Sequence, residues 1–108
     1  MLVRQPAKLM RLHFSEHDRY QNVPLYKAID EACQRLGIAG MTAFRGLEGY
    51  GESATLHQHH LLAHDQPIVV TIVDSASNIE RLVAEVAKML DTGMIAISDV
   101  EMIRIEAP

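Results

Sequence analysis

Alternation of apolar and polar side chains opens the chain's readable structure. Between Lys8 and Ser15, Met10, Leu12 and Phe14 alternate with Arg11 and His13, the period-two pattern of a half-buried strand. A polar stretch, Glu16 to Asn22, separates this strand from a helix that can begin near Pro24, a residue suited to a first helical turn. Leu25, Ala28, Ile29, Ala32, Cys33 and Leu36 then recur at helical spacing, and Gly37 offers the left-handed stop. Ile38 to Arg45 reads as a second strand, with Met41 and Ala43 on one face and Thr42 and Phe44 on the other. Pro67 to Val73 is nearly continuous Ile and Val, as expected of a central strand. Ser77 and Glu80 have capping-box spacing ahead of a second amphipathic helix marked by Ile79, Leu82, Val83, Val86 and Leu90, with Gly93 as its terminator. Ile95 to Ile105 returns to an extended pattern, with a break expected near Ser98 and Asp99.

The order strand, helix, strand, long connection, strand, helix, strand is that of an α+β, ferredoxin-like split βαβ sandwich (βαββαβ). In it two right-handed crossover units share one antiparallel sheet with both helices on one face. The other face would be bare. A share of Met10, Leu12, Phe14 and the Ile and Val of the third strand on that face would leave an apolar patch that favours self-association.

Length and composition narrow the class. The chain of 108 residues fits one domain, 1–108, with no repeat, low-complexity tract or linker, and its 48% apolar and 22% charged residues suit a globular fold. A net charge of -4 gives no general field for nucleic acid. Cys33, the single cysteine, excludes an intramolecular disulfide and leaves the reducing cytoplasm as the expected compartment. Met1 to Met10 lacks the apolar run of a signal peptide, and Ile68 to Val73 is too short to cross a bilayer, so no direct membrane insertion is expected.

The connection from Gly46 to Gln66 runs about twenty residues without periodicity, where ordinary connections take roughly 2 to 6, so it is the segment to which a task is assigned. It opens with Arg45, Gly46, Leu47, Glu48, Gly49, Tyr50, Gly51 and Glu52. Glycines there allow close backbone approach, so that successive N–H groups can face an anion. No Gly-Lys-Ser/Thr follows, so this is not a Walker loop. Further along stand His57, His59, His60 and His64. Helical geometry would put His60 and His64 at i and i+4, a chelating spacing, but no cysteine is near and a third ligand would have to come from His57 or an acid such as Asp65, so no metal site is assigned. Glu16, His17, Asp18 and Arg19 read as a solvated turn with local ion pairs, and Cys33 as a buried side chain. No nucleophile stands in an activating context, and an enzyme is not indicated.

Ser15-Glu16-His17-Asp18-Arg19-Tyr20, then Pro24-Leu25-Tyr26 with Ala28-Ile29, Gly37-Ile38-Ala39-Gly40, Arg45-Gly46 and Gly49-Tyr50-Gly51 together resemble the domain of unknown function 190 family. Ile68, Val69, Val73-Asp74-Ser75 and Gly93 extend the likeness from about Lys8 to Ile105. That family is placed in the superfamily of PII-like (nitrogen regulatory protein PII-like) proteins. The resemblance implies a homotrimer in which the 46–66 connection corresponds to the target-reaching T-loop, and Gly49-Tyr50-Gly51 to a turn lining an inter-subunit nucleotide cleft. Two departures follow. Glu52 stands where the superfamily's turn continues with a basic residue, and Gly93 to Ser98 lacks the lysine of the loop after the second helix. ATP held in the usual manner is therefore not expected, whereas a less charged ligand such as a nucleoside monophosphate fits.

The leading expectation is a trimeric regulatory protein that binds a small effector, an adenine nucleotide being one candidate, at Arg45, Gly46, Gly49, Tyr50 and Gly51. It would reach a protein target, a membrane transporter among the candidates, through its long loop. The alternatives are a metal-binding protein using the loop histidines and a ligand-free structural trimer accessory to a transporter.

Overall fold

The computed structural model describes residues 1–47, 66–91 and 93–108. Among these residues the elements follow in the order β1 (Leu2–Ser15), β2 (Arg19–Tyr20), β3 (Val23–Pro24), α1 (Leu25–Arg35), β4 (Thr42–Arg45), β5 (Pro67–Asp74), α2 (Ala76–Ala87) and β6 (Ile95–Ile105). The main sheet runs β4-β5-β1-β6 with every neighbouring pair antiparallel. This is the ferredoxin-like order expected for two interleaved split βαβ units.

Met10, Leu12 and Phe14 of β1 and Ile68, Val70 and Ile72 of β5 are buried together with Ile29, Ala32 and Cys33 of α1 and Ile79, Leu82 and Val86 of α2. Residues directly opposite in a ladder share a face, and Met10 stands against Ile72, Leu12 against Val70 and Phe14 against Ile68. The strongest apolar side chains of the two central strands therefore all point at the helices. The bare face takes the other set: Leu9, Arg11 and His13 beside Val73, Thr71 and Val69, with Thr42 and Phe44 at the edge. The apolar patch expected there is thus smaller and more mixed than the sequence suggested, with Phe44 and Val73 as its exposed large apolar members on β4 and β5.

Several boundaries differ from those expected. β1 starts at Leu2, not Lys8, and its first half pairs with β6 alone, from Leu2 opposite Ile105 onward. Pro6 falls where β1 has a single neighbour, which an imino acid tolerates. Arg4 with Glu101 and Lys8 with Asp99 form ion pairs across this ribbon. β6 is continuous through Ser98 and Asp99, because those residues stay in register opposite Leu9 and Lys8. The second strand is shorter than expected, beginning at Thr42. Ile38 instead plugs the core just after α1. The polar stretch after β1 leads into a two-stranded hairpin, β2–β3, over residues 19–24, whose turn residues Gln21 and Asn22 both have positive φ, 48° and 69°, as a twist-matched two-residue turn requires.

α1 ends as expected. Gly37 has φ +74°, its N–H bonds Gln34 O at 3.2 Å, and the Ile38 N–H bonds Cys33 O at 2.9 Å, the paired closure of a Schellman motif. α2 is capped differently from the expected Ser77 and Glu80 box. Ser75 is the N-cap, its Oγ accepting the Asn78 N–H at 3.2 Å. Nor does Gly93 end this helix, which stops at Ala87 with Lys88 and Met89 N–H groups bonding Glu85 and Val86 carbonyls.

Beneath the cap sits Asp74, a buried carboxylate. It accepts the Ala39 N–H at 2.9 Å, the Ser75 N–H at 2.7 Å and the Asn78 side-chain amide at 2.9 Å. Burial pushes its carboxyl up, but these donors, all directed at the charged form, more than offset that and leave it below the ordinary aspartate value. One side chain thereby ties the segment after α1 to the start of α2.

Candidate functional site

Register places the end of β1, the end of β4, the start of β5 and the start of β6 at one end of the sheet: Ser15 opposite Pro67, Arg45 opposite Ile68, Leu12 opposite Ile95. The connection 46–66 leaves from this end and returns to it, and its two described ends are bound together there. The Gly46 N–H donates to Pro67 O at 2.7 Å. A Cβ built on Gly46 would lie 2.8 Å from Pro67 Cγ, closer than side chains tolerate, so the backbone approach itself requires glycine.

Arg45 is the last residue of β4, and its side chain is 64% exposed. Its Nη2 lies 3.1 Å from Glu16 Oε2, whereas the Glu16 side chain is only 17% exposed. The other oxygen, Oε1, accepts the Gln66 N–H at 3.1 Å, and the Glu16 N–H returns a bond to Gln66 O at 3.0 Å. Glu16 therefore joins three strand ends, those of β1, β4 and β5.

Of the expected ligand-binding residues, Arg45 and Gly46 come together at this neck. Gly49, Tyr50 and Gly51 lie outside the described residues, as do Glu52 and the four histidines His57, His59, His60 and His64. Among the described residues no group of three or more His, Cys, Asp or Glu is placed to hold a metal ion.

Glu16 and Gln66 are the neck residues that sequence reasoning did not single out. The sequence alone suggests local ion pairs in the turn after β1. Its acidic members in fact do different work. Asp18 accepts the Ser15 N–H at 3.0 Å and its carbonyl accepts the Leu25 N–H at 2.9 Å, while Glu16 reaches across the sheet end. Only the polar string Ser15 to Tyr20, quoted in the family resemblance, marked the spot.

A concavity of about 310 Å³ lies on the helix side, away from the neck, lined in part by Tyr20, Val23, Arg35, Glu85, Lys88 and Met89. Glu85 stands 3.8 Å from Arg35 and 3.7 Å from Lys88. Two carboxylates, Glu31 and Glu85, stand there with two cations, Arg35 and Lys88, so the cavity presents no net positive charge to an anion. Cys33 is buried, and that burial pushes its thiol up to about 11, far from a reactive thiolate.

The sheet order, the two helices on one face and the neck of the long connection define a PII-like fold. The structure superposes on apo CPII, a nitrogen regulatory PII-like protein from Thiomonas intermedia K12, with a TM-score of 0.67 and 13% identity, covering 97% of this chain and 100% of that one. CPII bound to ADP and bicarbonate matches with a TM-score of 0.66 and 16% identity over 93% of this chain and 91% of that one. Residues 7–102 match the DUF190 family, described as an uncharacterized ACR, and the chain belongs to it. A UPF0166 protein of Aquifex aeolicus (strain VF5) is 36% identical over 98 residues, 89% of this chain and 92% of the relative. A second UPF0166 protein, from Methanocaldococcus jannaschii, is 28% identical over 95 residues, 86% and 88% of the two chains.

Proposed function

We propose that this chain is a PII-like regulatory protein that binds a small anionic effector at the neck, with Arg45 as the cation and the Gly46 backbone as the close-approach surface. The observation that carries the reading is the exposed Arg45 guanidinium beside the glycine at which the long connection leaves the sheet. An anion contacting Arg45 touches the end of β4 and, through Glu16, the start of β5, so its binding energy can bias how the connection's two ends are held. The CPII structures bound to ADP, AMP and bicarbonate make an adenine nucleotide or a small carboxylate-like anion the first effectors to try. Gly49, Tyr50 and Gly51 complete the expected effector contacts, and the rest of the connection would engage a protein target, a membrane transporter being one candidate.

The working unit is a homotrimer in the cytoplasm. Supporting it, the bare sheet face exposes Phe44 and Val73, and the β1–β6 ribbon exposes Leu2, Ile103 and Ile105. Along Leu2–Ala7, β1 is paired on one side only, an open edge of the kind that proteins normally cover. Among the described residues no helix is long and apolar enough to cross a membrane. The protein acts by binding and not by covalent chemistry, in keeping with a buried Cys33 and an Asp74 fully engaged as an anchor.

Native mass spectrometry of the purified protein tests the assembly and the ligand together. The expected spectrum is a trimer whose mass increases by discrete amounts when AMP, ADP or bicarbonate is added. A monomer that acquires none of the three defeats the reading.

A further inference from the structure

The two sides of the neck ion pair are held very differently. Glu16 is mostly buried, bonded to Gln66 through its backbone N–H and through Oε1, and so is fixed in place. Arg45 is mostly exposed, and Glu16 engages its guanidinium through Nη2 at 3.1 Å. A guanidinium is a planar fork of five N–H donors, and one contact of this length leaves most of the fork to other acceptors. The carboxylate is therefore the stationary partner and the guanidinium the one that can be drawn away.

We propose that Glu16 is a built-in competitor for the effector. In the free protein it holds Arg45, an anionic group binds by drawing the guanidinium off it, and Glu16 then keeps its grip on Gln66 alone. This rests on the effector reading above and adds the residue that sets affinity and charge selectivity at that site. A fixed carboxylate beside the binding cation repels each extra negative charge on an incoming ligand. The neck thus favours groups of low charge, a carboxylate, bicarbonate or a monophosphate, over polyphosphates. Coupling follows from the same arrangement. Whatever weakens the Arg45–Glu16 contact strengthens anion binding, and anion binding reciprocally loosens the tie between the ends of β4 and β1.

The test uses the full chain, AMP and ADP as probes, and two variants. Glu16→Gln keeps the side-chain shape and an acceptor for the Gln66 N–H but removes the competing charge. Glu16→Ala removes the acceptor as well. Calorimetric titration should show AMP binding to Glu16→Gln about 2- to 5-fold more tightly than to wild type, the gain expected from deleting one surface ion pair, with a larger gain for ADP. Hydrogen exchange without ligand should show the Gln66 amide unchanged in Glu16→Gln and about fivefold faster in Glu16→Ala, as for loss of one hydrogen bond. Thermal unfolding of Glu16→Gln near the wild-type temperature establishes that the comparison is between folded proteins. Equal or weaker AMP binding by Glu16→Gln, where wild type binds, overturns the competition, and an unchanged Gln66 amide in Glu16→Ala overturns its hold on β5. Faster Gln66 exchange in Glu16→Ala with no binding of AMP or ADP to any of the three proteins supports that hold and defeats the effector reading instead.

Discussion

Replacing Asp74 with alanine is expected to lower the unfolding free energy by about 3 kcal/mol, read as a fall of roughly 10–15 °C in Tm for a domain of this size. The loss has a specific source. Three donors, the N–H groups of Ala39 and Ser75 and the Asn78 amide, all converge on this buried carboxylate, and alanine leaves them without their acceptor. Asp74→Asn should lose less, because an amide oxygen still accepts, though without charge. The same anchor makes the wild-type protein sensitive to acid. A carboxyl more acidic in the folded chain than in the unfolded one contributes its full stabilisation above the unfolded value, about 3.9. That contribution fades as pH falls from about 5 and is gone once the pH is below the lower, folded value. Urea midpoints measured between pH 7 and pH 3 should therefore fall for wild type, and fall less for Asp74→Asn. Parallel curves for the two proteins would mean that Asp74 does not carry the acid sensitivity.

Gly46→Val should strike the neck directly. Its Cβ would meet the Pro67 ring at 2.8 Å, and neither side can give easily, because Pro67 is locked into β5 opposite Ser15. The end of β4 would have to move away from β5 and give up the Gly46 N–H bond to Pro67 O. Overpacking of this kind costs about 2 kcal/mol, and the displaced Arg45 should weaken anion binding tenfold or more. Gly40→Ala is the control, since a Cβ there meets nothing within 4 Å and Gly40 precedes β4, at the end of that strand opposite the neck. Binding by Gly46→Val equal to that of Gly40→Ala would show that the close approach has no part in the site.

What the sequence disclosed and what it concealed divide along one physical line. Periodic burial is written in local order, so Met10, Leu12 and Phe14, the run from Ile68 to Ile72, and the stripes of α1 and α2 were all legible, and with them the fold. The first half of β1 was not. Arg4, Gln5 and Pro6 interrupt the alternation, and a ribbon with one partner strand and little cover needs no apolar face. The N-cap lies two residues before Ser77, the serine that capping-box spacing to Glu80 favours on paper. The choice is made by Asp74, whose hold on Ser75 and Asn78 fixes where the helix begins. Arg45 and Gly46 were readable as the base of an unusually long connection. Glu16 was not, since its partners are Arg45 and Gln66, the latter 50 residues away, and such contacts leave no periodic trace.

In the proposed function Arg45 at the neck is the cation for a small anionic effector. Isothermal titration of wild type and Arg45→Ala with AMP, at low and at high salt, tests it most directly. The expected result is binding by wild type that weakens as salt rises and falls tenfold or more in Arg45→Ala, with both proteins folded. Equal affinity in the two proteins, or no binding of AMP, ADP or bicarbonate by wild type, would contradict the account.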